Sequence, residues 1–582
     1  METKQQNNQN MDKYFFRASA EDFKKIPGAP LAYWFSGNDF NAFSGEKIEK
    51  YSNVCIGMKT GENEKFIRAW YEISNSKIGF YLPTLIDANN SCYTWFPYLK
   101  GGDYRRWHGN YELILNWINY GENIKNHVNK HGVSDSRLRP SNYDFYFSKG
   151  LNWSFITSGN FGVRLHDNGF FFDVAGSSLF AKEGFLNAFF VGYLNSKVAS
   201  RFLSALNPTL NMQIENIKAL PVLRIENTFK LEKRVLNLKS RTKQDWDSYE
   251  TSWDFTSLPL LQTIYSQSII QSTYQTFRSH WQKMTLEMQQ LEEENNRIFI
   301  EAYGLGDELT PEVPLKEITL TCNPYYRYNG KKSDAELEKL LLADTMKEYI
   351  SYAVGCMFGR YSLDKEGLIL ANQGDTLQEY LSQVPDPKFM PDEDNVIPIL
   401  DDNWFVDDIV DRFYAFFRVT FGIEHFNENL QFIEDSIGKS VRNYFVSDFY
   451  TDHVKRYKKR PIYWMFSSPK GSFNVLIYLH RYNEDTVSTI LNNYLREFQN
   501  KLKAYEIQLQ ELSESSTARQ GDKTKALKEI QKVRRTLDEI LQWERNVIYP
   551  LATQRIAIDL DDGVKVNYAK FAGAVKKIAG LN

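Results

Sequence analysis

Cysteine is scarce in this chain, and the four present, Cys55, Cys92, Cys322 and Cys356, stand far apart. There is no C-x-x-C pair, so neither a zinc ligand set nor a disulfide framework is indicated, and a reducing, cytoplasmic setting is the expectation. Histidine is equally thin. Among eight, His127 and His131 have helical spacing, but no third ligand lies near them and no H-E-x-x-H pattern occurs. The sequence also lacks a G-x-x-x-x-G-K-S/T phosphate loop, a G-x-S-x-G elbow, a bilayer-length apolar run and a charged-then-apolar leader. No catalytic, cofactor or metal residue is assigned within the chain on these grounds, and no membrane association is expected.

Charge of one sign is lacking as well. A net charge of -3 over 582 residues argues against wholesale nonspecific binding to nucleic acid, so any surface that grips a polyanion must be a patch. Nine acidic residues stand against Lys388 and Arg412 between Ser382 and Arg412, which leaves the rest of the chain positive. What is abundant is aromatic: 15% of the residues, with Tyr 35 and Phe 40, in a composition otherwise typical of a globular protein. At this length several structural units are expected.

The local patterns divide the chain. Residues 1-30 read as an arm or linker. Residues 31-225 are rich in short β-type runs, Phe66 to Glu72, Trp153 to Thr157 and Gly169 to Val174, with helical spacing from Phe185 to Leu206 that stops at Asn207-Pro208. Residues 226-400 read as helical and mixed, with a short strand over Glu317 to Thr321, a helix over Ala335 to Phe358, and an acidic surface connection from Pro385 to Pro398. Residues 401-485 are mixed again, with a helix over Trp404 to Phe417 and a strand over Ser472 to Tyr478. Over 486-550, Val487, Leu491, Tyr494, Phe498, Leu502, Tyr505, Leu509 and Leu512 step by three and four, and Ala526, Ile530, Val533, Leu537, Ile540 and Val547 do so again after the polar turn Ser513 to Asp522. This spacing predicts an antiparallel coiled-coil hairpin. Residues 551-582 form a tail. The fold class is mixed α+β and multidomain: a β-rich recognition domain, a helical and mixed middle, and the hairpin near the C-terminus.

Two basic clusters stand out. Trp95-Phe96-Pro97-Tyr98-Leu99-Lys100-Gly101-Gly102-Asp103-Tyr104-Arg105-Arg106-Trp107 combines aromatics, a glycine pair and three cations, a mixture suited to base and phosphate contact. Lys100, Tyr104, Arg105, Arg106 and Trp107, together with Arg137 and Arg139, are the candidate contacts to DNA. The second cluster, Lys455-Arg456-Tyr457-Lys458-Lys459-Arg460, adds Lys455, Arg456, Lys458, Lys459 and Arg460. Asn323-Pro324-Tyr325-Tyr326 invites comparison with the Asn-Pro-Pro-Tyr loop of amino-methyltransferases, but Tyr325 replaces the second proline and no glycine-rich turn after a strand precedes it. Asp245, Asp247, Glu250 and Asp254 lie among Trp246 and Trp253, a set read as a solvated turn rather than a metal site.

The run Trp95 to Trp107, followed in order by Trp153-Ser154-Phe155-Ile156, Phe172-Asp173-Val174-Ala175-Gly176-Ser177-Ser178, Leu194-Asn195-Ser196-Lys197 and Leu206-Asn207-Pro208-Thr209-Leu210-Asn211, resembles the C-terminal specificity region of PglX. That family comprises the adenine-specific DNA methyltransferases of BREX phage-exclusion systems. More distantly the run is similar to the target-recognition domains of Type IIG restriction-modification enzymes. Asp245 to Trp253, Tyr303 to Leu309 and Trp464 to Gly471 extend the likeness over nearly the whole chain from about residue 12. The resemblance implies recognition of a short asymmetric site in duplex DNA so that host DNA is marked and distinguished from phage DNA. It also implies a methyltransferase domain, with S-adenosylmethionine, outside this sequence: on the remainder of a longer chain or on a separate subunit. Other BREX components are further expected partners. Two alternatives stay open, a working methyltransferase with degenerate motifs and a coiled-coil scaffold for protein interactions.

Overall fold

The computed structural model describes residues 19-126, 142-156, 160-207, 209-225, 228-328 and 330-581. The chain divides into two units, Met1–Ile67 with Ile78–Trp246 and His280–Lys331, and Arg68–Lys77 with Asp247–Ser279 and Lys332–Asn582. Both are mixtures of helix and short strand.

The first unit is organised by two sheets of short, largely buried strands. β1 (Ser52–Cys55), β5 (Gly150–Trp153), β6 (Val163–His166) and β8 (Ser178–Ala181) form one sheet in the order β1-β8-β5-β6. Leu151 faces Leu165 on one neighbour and Leu179 on the other, and all three are essentially inaccessible to solvent. In a second sheet β3 (Trp95–Leu99) runs antiparallel to β4 (Leu113–Asn116) and parallel to β7 (Phe171–Phe172). The long runs predicted as strands are thus shorter in fact. Phe66 to Glu72, which passes from the first unit to the second at Arg68, splits into β2 (Ile67–Ala69) and a 3₁₀ turn Trp70–Glu72.

Helical spacing from Phe185 to Leu206 resolves into two helices, α1 (Asn187–Leu194) and α2 (Lys197–Leu206). The break has a side-chain cause: the Asn195 amide donates to the Val163 carbonyl at 3.0 Å and its oxygen accepts from the Val163 N–H at 2.9 Å, while Ser196 caps α2. A residue engaged with a neighbouring strand in this way leaves the helix path. α1 lies against β5, β6 and β8 and is buried on all sides, which explains its unbroken apolar character. α3 (Thr228–Trp246) packs on α1 through Leu231, Val235 and Leu238. α4 (Ile270–Ala302) contributes its residues from His280 onward to this unit.

Glu317 to Thr321 is not a strand. Leu315–Glu317 is a 3₁₀ turn, and the following backbone is satisfied by side chains instead of a partner strand. The Asn323 amide donates to the carbonyls of Leu315 and Ile318, and the Asp245 carboxylate accepts from the N–H groups of Thr321 and Cys322 at 2.7 and 2.8 Å. Asp245 is therefore fully buried, and the solvated turn expected around it is corrected.

In the second unit α5 (Asp334–Met357) opens on a capping box formed by Ser333 and Glu336 and ends inside the core. Its Gly355 is there for packing: a Cβ would stand 2.6 Å from the Tyr361 ring. α6 (Ile409–Phe421) presents Phe413, Phe416, Phe417 and Phe421 to the ring of Tyr349 on α5, with centroids 5.7 to 6.0 Å apart. β9 (Ile397–Pro398), β10 (Tyr463–Ser467) and β11 (Asn474–Tyr478) form an antiparallel sheet in the order β10-β11-β9. α7 (Arg496–Glu514) and α8 (Gln520–Trp543) pack along one another as a helical hairpin, burying Phe498, Leu502 and Leu509 on one arm and Ala526, Ile530, Val533, Leu537 and Ile540 on the other. Leu512, which the spacing assigned to that seam, is exposed near the turn. Among the described residues no helix is long and apolar enough to cross a membrane.

The acidic segment from Pro385 to Pro398 is a surface connection only in part: Pro385, Asp386, Lys388 and Met390 are exposed, whereas Asp392 and the run from Asn395 to Pro398 are buried. Arg481 donates to the carbonyls of Asp392 and Glu393 at 2.8 and 2.9 Å, the Asp392 carboxylate accepts from the Val396 N–H, and Val396 and Ile397 are fully buried. The Tyr494 hydroxyl stands 2.7 Å from a carboxylate oxygen of Asp407 and 3.1 Å from both of Asp394. Burial, then the neighbouring Asp394 charge, push the Asp392 carboxyl up to about 7. A carboxyl raised in the folded state binds its proton more tightly there than when unfolded, so its stabilising contribution is complete below the unfolded value and disappears as pH rises through 7. Asp392→Asn is accordingly expected to flatten the decline in stability between about pH 4 and pH 7. Denaturant melts across that window check it, and an unaltered decline would refute the assignment.

Candidate nucleic-acid interface

The basic-aromatic loop after β3 is shaped by its own protein. Gly101 and Gly102 have φ of +86° and +136°, and a Cβ on Gly101 would meet the Ala175 carbonyl oxygen at 2.8 Å. The Gly102 carbonyl accepts from the Ser154 hydroxyl at 2.9 Å. The glycine pair thus serves a close backbone crossing within the unit. Lys100, half-buried, reaches Asp173 at 3.3 Å, and the same carboxylate accepts from the Tyr98 hydroxyl at 2.6 Å.

Arg105, Arg106 and Trp107 point inward. Arg106 is 8% exposed and donates to Glu292 at 2.7 Å and to Glu317 at 3.4 Å, while the Trp107 indole N–H donates to the other oxygen of Glu292 at 2.7 Å. Glu292 is 2% exposed. Burial lifts its carboxyl above the ordinary range, and the Arg106 charge and the indole donor pull it back. Arg105 is held by the Thr321 hydroxyl, by the Thr319 carbonyl at 3.3 Å and by Asp245 at 3.6 Å, with its guanidinium 4.8 Å from the Trp246 ring centroid. Tyr104, half-buried, accepts through its carbonyl from the Tyr326 hydroxyl, and its ring lies 5.5 Å from the Arg106 guanidinium. Backbone pairing continues the theme: Trp107, at φ +71°, exchanges hydrogen bonds with the carbonyl of Val163 and the N–H of Leu165. Arg137 and Arg139 lie outside the described residues.

The second cluster splits by exposure. Arg456 donates to Glu250 at 2.9 Å, and Arg460 stands 3.9 Å from Glu72. Lys455, Lys458 and Lys459 are exposed. Lys458 and Lys459 both take left-handed backbone, φ 49° and 62°, closing the preceding helix through the Lys459 N–H to the Val454 carbonyl at 2.8 Å. This turn displays three ammonium groups on one short stretch, a point-charge surface for phosphate.

The loop resembling Asn-Pro-Pro-Tyr has its hydrogen bonds committed. Asn323 is fully buried, caps the short helix Pro324–Arg327 by accepting from the Tyr325 N–H at 3.2 Å, and spends its amide on Leu315 and Ile318. Both N–H groups of its side chain are engaged within the unit, its oxygen already accepts one hydrogen bond, and its complete burial keeps it from a base in solution.

No family model matches the chain. It is homologous to adenine-specific methyltransferases. One relative, the adenine-specific methyltransferase PglX of Lacticaseibacillus casei strain Zhang, is 36% identical over 588 residues, 98% of this chain and 46% of the relative. Another, the adenine-specific methyltransferase BrxX of Escherichia coli O9:H4 strain HS, is 34% identical over 600 residues, 100% of this chain and 47% of the relative. The chain spans about half the length of the relatives it matches.

Sequence patterns missed Glu292 and Glu317 and placed Asp245 in solvent, although these three carboxylates organise the loop. A signal existed for Glu292: Met284, Met288, Glu292, Asn295 and Phe299 recur at helical spacing and all are buried, so a carboxylate stands on an apolar stripe. Such a residue needs a cationic partner.

Proposed function

We propose that this chain is the DNA-specificity part of a BREX-type N6-adenine DNA methyltransferase, recognising a short duplex site so that host DNA is marked in anti-phage defence. The observation that carries the reading is homology along the full chain to two adenine-specific methyltransferases of which it spans only half. The complete burial of Asn323 favours recognition over catalysis for this half, and S-adenosylmethionine is assigned to the half not spanned. Lys455, Lys458 and Lys459 are proposed phosphate contacts, with Lys100 and Tyr104 at the edge of the first loop. Arg105, Arg106 and Trp107 act in this reading by holding that loop in place.

The test is binding of the purified chain to duplexes carrying the host methylation site or a scrambled site, over a salt series. Tighter binding to the host site is expected, and equal binding to both duplexes sinks the proposal. Replacing Lys455, Lys458 and Lys459 together by Ala is expected to reduce the slope of log K against log salt by up to about 2.7, at about 0.9 for each phosphate that is no longer neutralised. An unchanged slope removes the three lysines from the interface. Saturable binding of S-adenosylmethionine by the isolated chain would favour the methyltransferase alternative.

A further inference from the structure

The first unit contains a cleft of about 480 Å³, within the roughly 300–1,000 Å³ range of sites that take small ligands or parts of larger ones. It is lined by Lys197, Ser200 and Ser204 of α2, by Phe161 and Leu210, and by Arg106 and Glu317. Much of the polar lining is already committed: Asn195 to the backbone of Val163, and Asn296 to the Lys197 N–H at 3.0 Å and the Pro311 carbonyl at 3.0 Å. These bonds make the walls rigid.

What remains is a small complementary set. The Arg106 Nε is buried without a hydrogen-bond partner in a side chain that is nine-tenths buried and lines the cleft. Glu317 keeps 27% of its side chain exposed beside it. Lys197 stands half-buried at the first turn of α2, and Leu210 is 60% exposed. A cationic donor, an anionic acceptor and flat or apolar surfaces thus face one volume. Phosphate is a poor match, since Glu317 would repel it. A nucleobase is a good match, because its groove edge offers ring-nitrogen and carbonyl acceptors beside an exocyclic amino donor.

We infer that this cleft takes a nucleobase edge, with Glu317 accepting from an exocyclic amine and Lys197 donating to a ring nitrogen or carbonyl, and that it sets sequence preference at one position of the site. The inference rests on the reading of the chain as a DNA-specificity part, and adds which surface does the discriminating.

The experiment compares the full chain with its Glu317→Gln, Lys197→Gln and Ser204→Tyr variants on duplexes substituted one base pair at a time across the host site. Glu317→Gln is expected to reduce discrimination at one base pair by about ten- to a hundredfold while leaving the salt slope unchanged, since the group removed meets a base and not a phosphate. Lys197→Gln is expected to weaken discrimination at the same or the adjacent position. Ser204→Tyr, at an exposed lining position that leaves the Arg106 cluster untouched, is expected to reproduce the loss even if Glu317→Gln misfolds. If the parent chain discriminates and all three variants discriminate equally well, the cleft is not the reader and the inference falls alone. If the parent chain shows no preference among duplexes, the underlying reading falls with it. A parallel titration with adenosine monophosphate separates the sources of the base: saturable binding abolished by Lys197→Gln, with duplex preference unaltered, would assign the cleft to a free nucleotide and overturn the inference.

Discussion

Replacing Glu292 by Leu is expected to lower the stability of the first unit by about 3–5 kcal/mol, because it leaves the Arg106 guanidinium and the Trp107 indole N–H buried without their acceptor. In a unit of this size each kcal/mol shifts the midpoint by roughly 2–4 °C, so the thermal transition of that unit should fall by roughly 6–20 °C in calorimetry. The companion experiment separates pairing from mere loss of a side chain. Adding Arg106→Met to Glu292→Leu removes both charges, and much of the lost stability should return, since a buried ion pair exchanged for apolar groups of similar volume is often near neutral. A double variant no more stable than Glu292→Leu alone would show that the loop depends on something other than this pair. DNA binding measured on the two proteins adds a functional readout. If Arg106 acts by holding the loop, the refolded double variant should recover binding along with stability.

The second large effect lies in the other unit. Tyr349→Ala should cost about 3–5 kcal/mol, the usual cost of emptying a fully buried aromatic site, because its ring is enclosed by Phe413, Phe416, Phe417 and Phe421. Tyr349→Phe keeps the ring and removes only the hydroxyl, which shares a 2.6 Å hydrogen bond with Thr420; about 0.5–1.5 kcal/mol is expected. The ratio of the two losses is the informative quantity. Similar losses from both substitutions would mean that the hydroxyl, and not the ring packing, anchors α5 to α6.

These expectations show how the chain's chemistry is partitioned. Lys455, Lys458 and Lys459 are exposed, whereas Arg105, Arg106, Arg456 and Arg460 stand beside internal carboxylates. Arg456 with Glu250 repeats in the second unit what Arg106 with Glu292 does in the first. An arginine fork matches a carboxylate in two places at once and tolerates burial better than an ammonium group, so this division of labour between the two cations follows from their geometry and hydration.

Local pattern was sufficient for the parts of the fold whose cause is local. The three-and-four spacing from Phe498 to Leu509 and from Ala526 to Ile540 specifies two helices with facing apolar stripes, and both form. The mixed α+β class follows in the same way from alternating short apolar runs and helical stretches. The homology to adenine-specific methyltransferases was also legible as ordered motifs along the chain. What pattern alone left open was the fate of each charge. Arg106 meets Glu292 across 186 residues of sequence, Arg105 meets Thr321 across 216, and Asp392 is enclosed by Arg481 from 89 residues away. Periodicity describes a residue's neighbours along its own helix or strand, and it carries no information about such distant partners. Whether a guanidinium stays in water or is buried depends on a carboxylate arriving to compensate its lost hydration. Such compensation is a property of the assembled unit, and it moved Arg105, Arg106, Asp245, Asp392 and the run from Asn395 to Pro398 from predicted surface to observed interior.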